Sequence, residues 1–133
     1  AAGGLGGAFA AFLNGKFVSG AGLVLEANDV HEKDDSLTLM FSGEGRIDTQ
    51  TLSGKLPMAI AKLGNEQGVP VILLGGSLDI PAVELVGTGV VSAQSITSGP
   101  MRLADMMVPD IAFHALKEKA AHCYLFWKSL QKG

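Results

Sequence analysis

The stretch LTLMFSGEGRIDTQTLSGKLPMAIAKLGNEQGVPVILLGGSLD, Leu37 to Asp79, decides the fold. It holds two short apolar runs, Leu37–Phe41 (LTLMF) and Val69–Leu74 (VPVILL), the first followed by Ser42-Gly43 and the second by Gly75-Gly76-Ser77. Runs that are almost wholly apolar, without alternation, are expected of strands covered on both faces. Between them Leu56, Ile60 and Leu63 recur at i, i+4 and i+7, Pro57 sits near the first turn and Gly68 supplies a stop, a pattern that predicts a helix. Strand, helix, strand is a βαβ unit, and its crossover implies parallel pairing.

Working outward, a third strand is expected over Gly89–Ile96, after a segment Pro81–Val86 that can form a short helix. Leu103–Leu130 is helical in composition, but Pro109 lies inside it. Its ring and missing N–H end or kink a helix, so two helices are predicted. Toward the start of the chain, Phe9, Phe12 and Leu13 have roughly helical spacing before Asn14-Gly15. This predicts a short helix over Ala8–Leu13, entered through a glycine-rich turn. Gly22–Ala27 fits a helix or a strand equally.

The 133 residues suffice for one domain with a real core. Apolar residues make up 47% and aromatics 6%, with 18 glycines, which points to an aliphatic interior packed closely against turns. A formal charge of -3 argues against a surface that tracks nucleic acid or an anionic membrane. The single Cys123 has no internal disulfide partner, and with no signal-like charged start the chain reads as cytoplasmic. No apolar run approaches the roughly 18 residues of a membrane span. The opening AAGGLGGAFAAFL, without a methionine, reads as a chain that starts inside a fold.

Ligands of open parallel sheets bind outside the carboxyl ends of the strands. On that rule SGEGRID and GGSLD are expected as two loops opening on one edge of the sheet, with glycines and helix dipoles favouring an anion. Arg46 suits a bidentate grip on a carboxylate or phosphate, or an ion pair with Glu44 or Asp48. Glu44 and Asp48 suit Mg²⁺ binding or general-base work, or simply helix capping. Lys55 does not complete a phosphate loop of the form G-x-x-x-x-G-K-[ST], because Thr49 stands at the first glycine and Leu56 follows the lysine. GGLGGAF fails the dinucleotide pattern G-x-G-x-x-G at Phe9. His31, His114 and His122 lack zinc-site spacing and read as surface or packed histidines, Cys123 reads as a buried small hydrophobe, and Met101, Met106 and Met107 read as core filler.

The segments AAGGLGGAFAAFLN, SGEGRIDTQTLSGKLPMAIAKLG and GVPVILLGGSLD, in that order, resemble the C-terminal portion of the bacterial-type glycerate kinases. The similarity covers nearly the whole chain and fades after about Leu103, with GEGRIDTQTLSGKLP its most specific part. The resemblance implies an ATP-dependent, Mg²⁺-assisted transfer of phosphate to a hydroxyl of glycerate, in a two-domain α/β enzyme whose substrate lies between the domains. Position by position, Gly43, Glu44, Gly45, Arg46 and Asp48 fall on the family's G-E-G-R-x-D motif, and Gln50, Thr51, Gly54 and Lys55 continue it. Gly3 and Gly4 fall on its A-A-G-G turn, and Gly76 and Ser77 on the exit of the second strand.

Under this resemblance the expected fold is an α/β, parallel-sheet, three-layer unit of the Rossmann or flavodoxin type, residues 1–133 forming one unit of a longer two-domain kinase. Arg46 and Asp48 are the expected catalytic residues, Asp48 also as metal ligand, with Gly3, Gly4, Gly43, Glu44, Gly45, Gln50, Thr51, Lys55, Gly76 and Ser77 binding glycerate or nucleotide. ATP and Mg²⁺ are the expected cofactors, and an N-terminal half is the expected partner, with no nucleic acid and no membrane. Two features depart from the family: its N-terminal segment has no counterpart here, and the end of the chain carries Pro109 and the aromatic HCYLFWKSLQKG. The rival reading is a non-catalytic α/β module binding an anion or nucleotide, and the missing dinucleotide pattern disfavours a nicotinamide enzyme.

Overall fold

The computed structural model describes residues 10–12, 19–27, 36–54 and 56–132. The chain divides into two compact units, Ala1–Glu32 and Lys33–Gly133. In the first, residues 10–12 are helical, and the rest of the helix expected over Ala8–Leu13 lies outside the described residues, as does His31. The segment that fitted either helix or strand is a helix, α1 (Gly20–Ala27). Ser19 starts it: its Oγ accepts the Gly22 N–H at 3.2 Å and its carbonyl accepts the Leu23 N–H at 3.0 Å, the capping geometry that serine favours.

The second unit runs β1 (Met40–Asp48), α2 (Leu56–Gln67), β2 (Val71–Asp79), a 3₁₀ turn (Ala82–Leu85), β3 (Val90–Ser95), α3 (Leu103–Met106) and α4 (Pro109–Leu130). The three strands form one sheet in the order β1-β2-β3, and both pairings are parallel. The α/β class and the βαβ unit read from the sequence are therefore present. Pro109 begins α4 in its first turn, where a missing N–H costs nothing, and so divides the last segment into two helices as expected.

The strand boundaries differ from the sequence reading. Both strands begin later than their apolar runs and continue through the glycines to Asp48 and Asp79. SGEGRID and GGSLD are thus the paired second halves of β1 and β2, not exit loops. Only the central strand β2 is covered on both faces, with Val71–Gly75 buried without a break. Edge strand β1 alternates from Met40 to Glu44, and the alternation then slips one position so that Ile47 is enclosed.

A close approach of the two backbones explains part of the glycine content. A Cβ at Gly43 would overlap the carbonyl oxygen of Leu74, its register partner. Gly43→Ala is therefore expected to lower unfolding free energy by about 2 kcal/mol, since β1 must shift from β2. Urea denaturation reads the loss, and an unchanged midpoint would show that the edge strand gives way freely.

The core gathers Ile47, Ala61, Val71, Leu73, Leu85 and Val90, with Met40, Leu52, Met58 and Ile60 packed on it. Helix α2 covers β1 and β2. Its period is the one expected, but the phase is turned: Pro57, Ala61, Leu63 and Gly64 are buried, whereas Leu56 is exposed. Helix α4 has 22 residues, none of them buried, and spans about 33 Å at 1.5 Å per residue. Phe113, Leu125, Phe126 and Leu130 are exposed along it, and Cys123 is half-buried. Burial raises the Cys123 thiol above its usual value against a smaller opposing effect of Lys119. A raised pKa leaves little thiolate at neutral pH, which agrees with a packing residue and not a nucleophile. His114 and His122 are exposed on α4. Among the described residues no helix is long and apolar enough to cross a membrane.

Candidate active-site edge

The parallel pairing brings the two polar ends of β1 and β2 side by side. Glu44 stands opposite Gly75, Arg46 opposite Ser77 and Asp48 opposite Asp79. The prediction that both segments open on one edge of the sheet is met, with strands in place of loops. Arg46 ties the edge together. Its Nη2 donates to Asp79 Oδ2 at 2.6 Å, and its Nε lies 3.3 Å from Asp48 Oδ2. The ion pair with Asp48 was one of the readings open from sequence; the contact with Asp79, 33 positions away, was not.

The chain then turns sharply at Asp48. Its Oδ1 accepts the Gln50 N–H at 2.9 Å and its carbonyl accepts the Thr51 N–H at 3.0 Å, a turn that aspartate side chains stabilise by imitating backbone. Thr51 is fully enclosed. Its hydroxyl donates to Glu44 Oε1 and accepts the Asp48 N–H at 3.1 Å. One threonine thus locks the carboxylate of Glu44 to the turn that aims Asp48. Thr51→Val keeps the shape and removes the enclosed hydroxyl that serves the half-buried Glu44 carboxylate and Asp48 N–H, so a loss of about 1 kcal/mol is expected. Thermal unfolding measures it, and a variant as stable as the parent would show that the edge does not depend on this bond.

Beside this edge lies an open cleft of ≈ 1090 Å³. Gly43, Glu44 and Gly45 of β1 and Gly76 and Ser77 of β2 line it, whereas Arg46 and Asp48 stand just beyond its lining. A Cβ at Gly76 would come within 2.7 Å of the Gly45 carbonyl, so here too the glycine permits strand contact. The site residues expected from sequence therefore fall into three places. Gly43, Glu44, Gly45, Gly76 and Ser77 share the cleft wall, Arg46 and Asp48 hold the strand ends, and Gln50 and Thr51 form the turn. Gly3, Gly4 and Lys55 lie outside the described residues.

The far wall of the cleft was missed from sequence. Ser95, Ile96 and Thr97 close it at the end of β3, and Met101, Met106 and Met107 continue it. Ser95 Oγ and Thr97 Oγ1 are 2.5 Å apart, Ser95 Oγ donates to the Gly76 carbonyl at 3.3 Å, and the Ile96 N–H reaches the Gly75 carbonyl at 2.8 Å. The hydroxyls in SITS, directly after an apolar-rich strand, were the available signal. The three methionines line the cleft, and Met101 and Met107 are exposed, so they are not core residues. Among the described residues no group of three His, Cys, Asp or Glu side chains is placed to hold a metal ion by itself.

Open parallel α/β sheets take their ligands outside the carboxyl ends of their strands, the edge at which these charged groups stand beside a cleft. Comparison with known proteins makes the class specific. Residues 1–128 match the glycerate kinase family. A glycerate kinase of Halalkalibacterium halodurans is 41% identical over 107 residues, covering 80% of this chain and 28% of the relative. A glycerate 2-kinase of Escherichia coli is 42% identical over 78 residues, covering 59% and 20%. A crystal structure from Salmonella typhimurium, of a protein assigned as glycerate kinase 2, superposes with a TM-score of 0.55 at 29% identity, over 92% of this chain and 33% of that one. The chain belongs to the glycerate kinase family. It spans 28% of the Halalkalibacterium relative's length and 20% of the Escherichia coli relative's.

Proposed function

We propose that this chain supplies one wall of the active-site cleft of a glycerate kinase, in which ATP phosphorylates a hydroxyl of glycerate. The observation that carries the reading is the Arg46 guanidinium held at the carboxyl edge of two parallel strands, next to a cleft, in a chain of this family. Phosphoryl transfer requires mainly positioning and neutralisation of charge. Arg46 grips the glycerate carboxylate or the transferred phosphate, and Asp48 orients the attacking hydroxyl or serves the metal. Glu44, locked by Thr51, and Ser77 line the cleft beside them. The backbone at Gly43, Gly45 and Gly76 leaves room for a ligand to lie close to the strands, and Gln50 extends the same edge.

The donor set also fits Mg²⁺. Asp48, Asp79 and Arg46 together carry a formal charge of -1, from two carboxylates and one guanidinium, so an anionic ligand needs a further cation there. Mg²⁺ is commonly held by one or two carboxylates with the rest of its shell from phosphates and water. Asp48 would hold it, and its charge would offset that of the phosphates. A longer two-domain enzyme completes the cleft in this reading, supported by the share of each relative that the chain spans. The single cysteine suits a cytoplasmic setting.

The test is ADP release from ATP, Mg²⁺ and D-glycerate, measured on the 133-residue chain and on the same chain preceded by the N-terminal part of the Halalkalibacterium relative. Glycerate-dependent ADP release by the extended protein is the expected result. Two folded proteins that both release no ADP would replace the kinase with an anion-binding module.

A further inference from the structure

We propose that Asp79 is a positioning residue for Arg46, fixing which edge of the guanidinium is offered to an anion; this rests on the reading of Arg46 as the anion-gripping group. Asp48 and Asp79 are direct register partners, so their carboxylates leave the sheet side by side. Like charges directly opposite in a sheet repel, and the guanidinium lying between them relieves that repulsion. Its side chain is 62% exposed and that of Asp79 71%, a setting in which an ion pair adds little stability. The consequence of the contact is orientation.

Of the guanidinium nitrogens, Nε faces Asp48 at 3.3 Å and Nη2 donates to Asp79 at 2.6 Å. Neither uses Nη1. Nη1 and the Nη2 proton that Asp79 does not take are thereby left to donate to a carboxylate or phosphate. With Asp48 alone the group would be held through Nε and free to swing. Asp79, on the neighbouring strand, supplies the second tether. Ser77, the register partner of Arg46 on β2, stands beside the guanidinium's own strand position and lines the cleft.

The chain contains two arginines, Arg46 and Arg102, so a ¹H–¹⁵N spectrum of arginine Nε has one reporter and one internal reference. Arg102 is held by Asp105 at 2.9 and 3.2 Å. Titration with inorganic phosphate or D-glycerate in the presence of Mg²⁺ is expected to move the Arg46 signal saturably and leave that of Arg102 in place. Asp79→Asn is expected to weaken the apparent Kd about tenfold, with a melting midpoint within about 2 °C of the parent. Asp79→Glu, which keeps the charge, should recover most of the binding.

Calorimetry on Arg46→Ala separates the two readings. Weak binding that does not fall further when Asp79→Asn is added shows that Asp79 acts through Arg46. A further loss in that background, or Asp79→Asn binding at parental strength while Arg46→Ala does not, overturns the role of Asp79 alone. Parental binding by Arg46→Ala, or an Arg46 signal that no concentration of either anion moves, overturns the reading of Arg46 and this proposal with it.

Discussion

Arg46→Ala, in the chain extended to a complete cleft, is expected to lower kcat/KM for glycerate phosphorylation by about 10²–10³-fold, the usual cost of removing one donor aimed at transition-state charge. The variant loses the fork and also leaves Asp48 and Asp79 facing each other in register without the cation that lies between them. Loss of fold would not account for such a change, because the Arg46 side chain is 62% exposed and exposed ion pairs contribute at most about 1 kcal/mol. Arg46→Lys should fall between the two, keeping a positive charge but not the planar fork. Steady-state kinetics against D-glycerate and ATP, with a melting curve on each variant, checks all three statements. Near-parental kinetics for Arg46→Ala would remove the residue from the proposed machinery.

The second large effect concerns the sheet. Leu73→Ala is expected to lower unfolding free energy by about 3–4 kcal/mol. Leu73 is fully enclosed on the central strand and belongs to the cluster with Ile47, Val71 and Val90. Truncation removes three carbons from a place that paired strands on both sides keep from collapsing. For a domain with a total stability of about 5–15 kcal/mol this is a large fraction. Urea denaturation should show a lower midpoint with an unchanged slope. Val91→Ala on β3, where the side chain is 61% exposed, is the control and should change little. A loss below about 1 kcal/mol at Leu73 would mean that the core closes over the gap.

The two effects separate what the edge does from what the core does. Arg46, Asp48 and Asp79 are exposed or half-buried and add little to stability, so they are open to a chemical role. Leu73, Val71 and Ile47 have no exposure and hold the strands at the spacing that brings Asp48 beside Asp79. Thr51 belongs to both groups. It is enclosed like a core residue, yet its hydroxyl joins Glu44 to the Asp48 turn.

Much of the fold was legible because its signals are local. The recurrence of apolar residues between Leu56 and Leu63, the stop at Gly68 and the break at Pro109 each depend on residues within one or two turns of one another. Even there the sequence set the period of α2 and not its phase: Pro57, Ala61 and Gly64 turned out to face the sheet. Gly64 and Ala61 have little apolar surface, so a pattern weighted by hydrophobicity passes over them, although their small size is what lets the helix lie close. The family motif likewise marked Glu44, Arg46 and Asp48 without saying how they are held.

By itself, then, the sequence determined the succession of strands and helices from β1 onward, the parallel pairing of β1 with β2 and the stretch that carries the charged edge. Tertiary structure alone decided that GEGRID and GGSLD are strands, that Arg46 binds Asp79, that Thr51 is enclosed and that Ser95–Thr97 close the cleft. The physical reason is the same in each case. Glycine and aspartate have low intrinsic strand preference, so only pairing with a neighbouring strand can hold them extended, and that neighbour lies about thirty residues away along the chain. Register across the sheet is fixed by the buried run Val71–Leu74 packing into the core, and it is this register, a property of no single segment, that sets Asp79 beside Asp48 and gives Arg46 its second anchor.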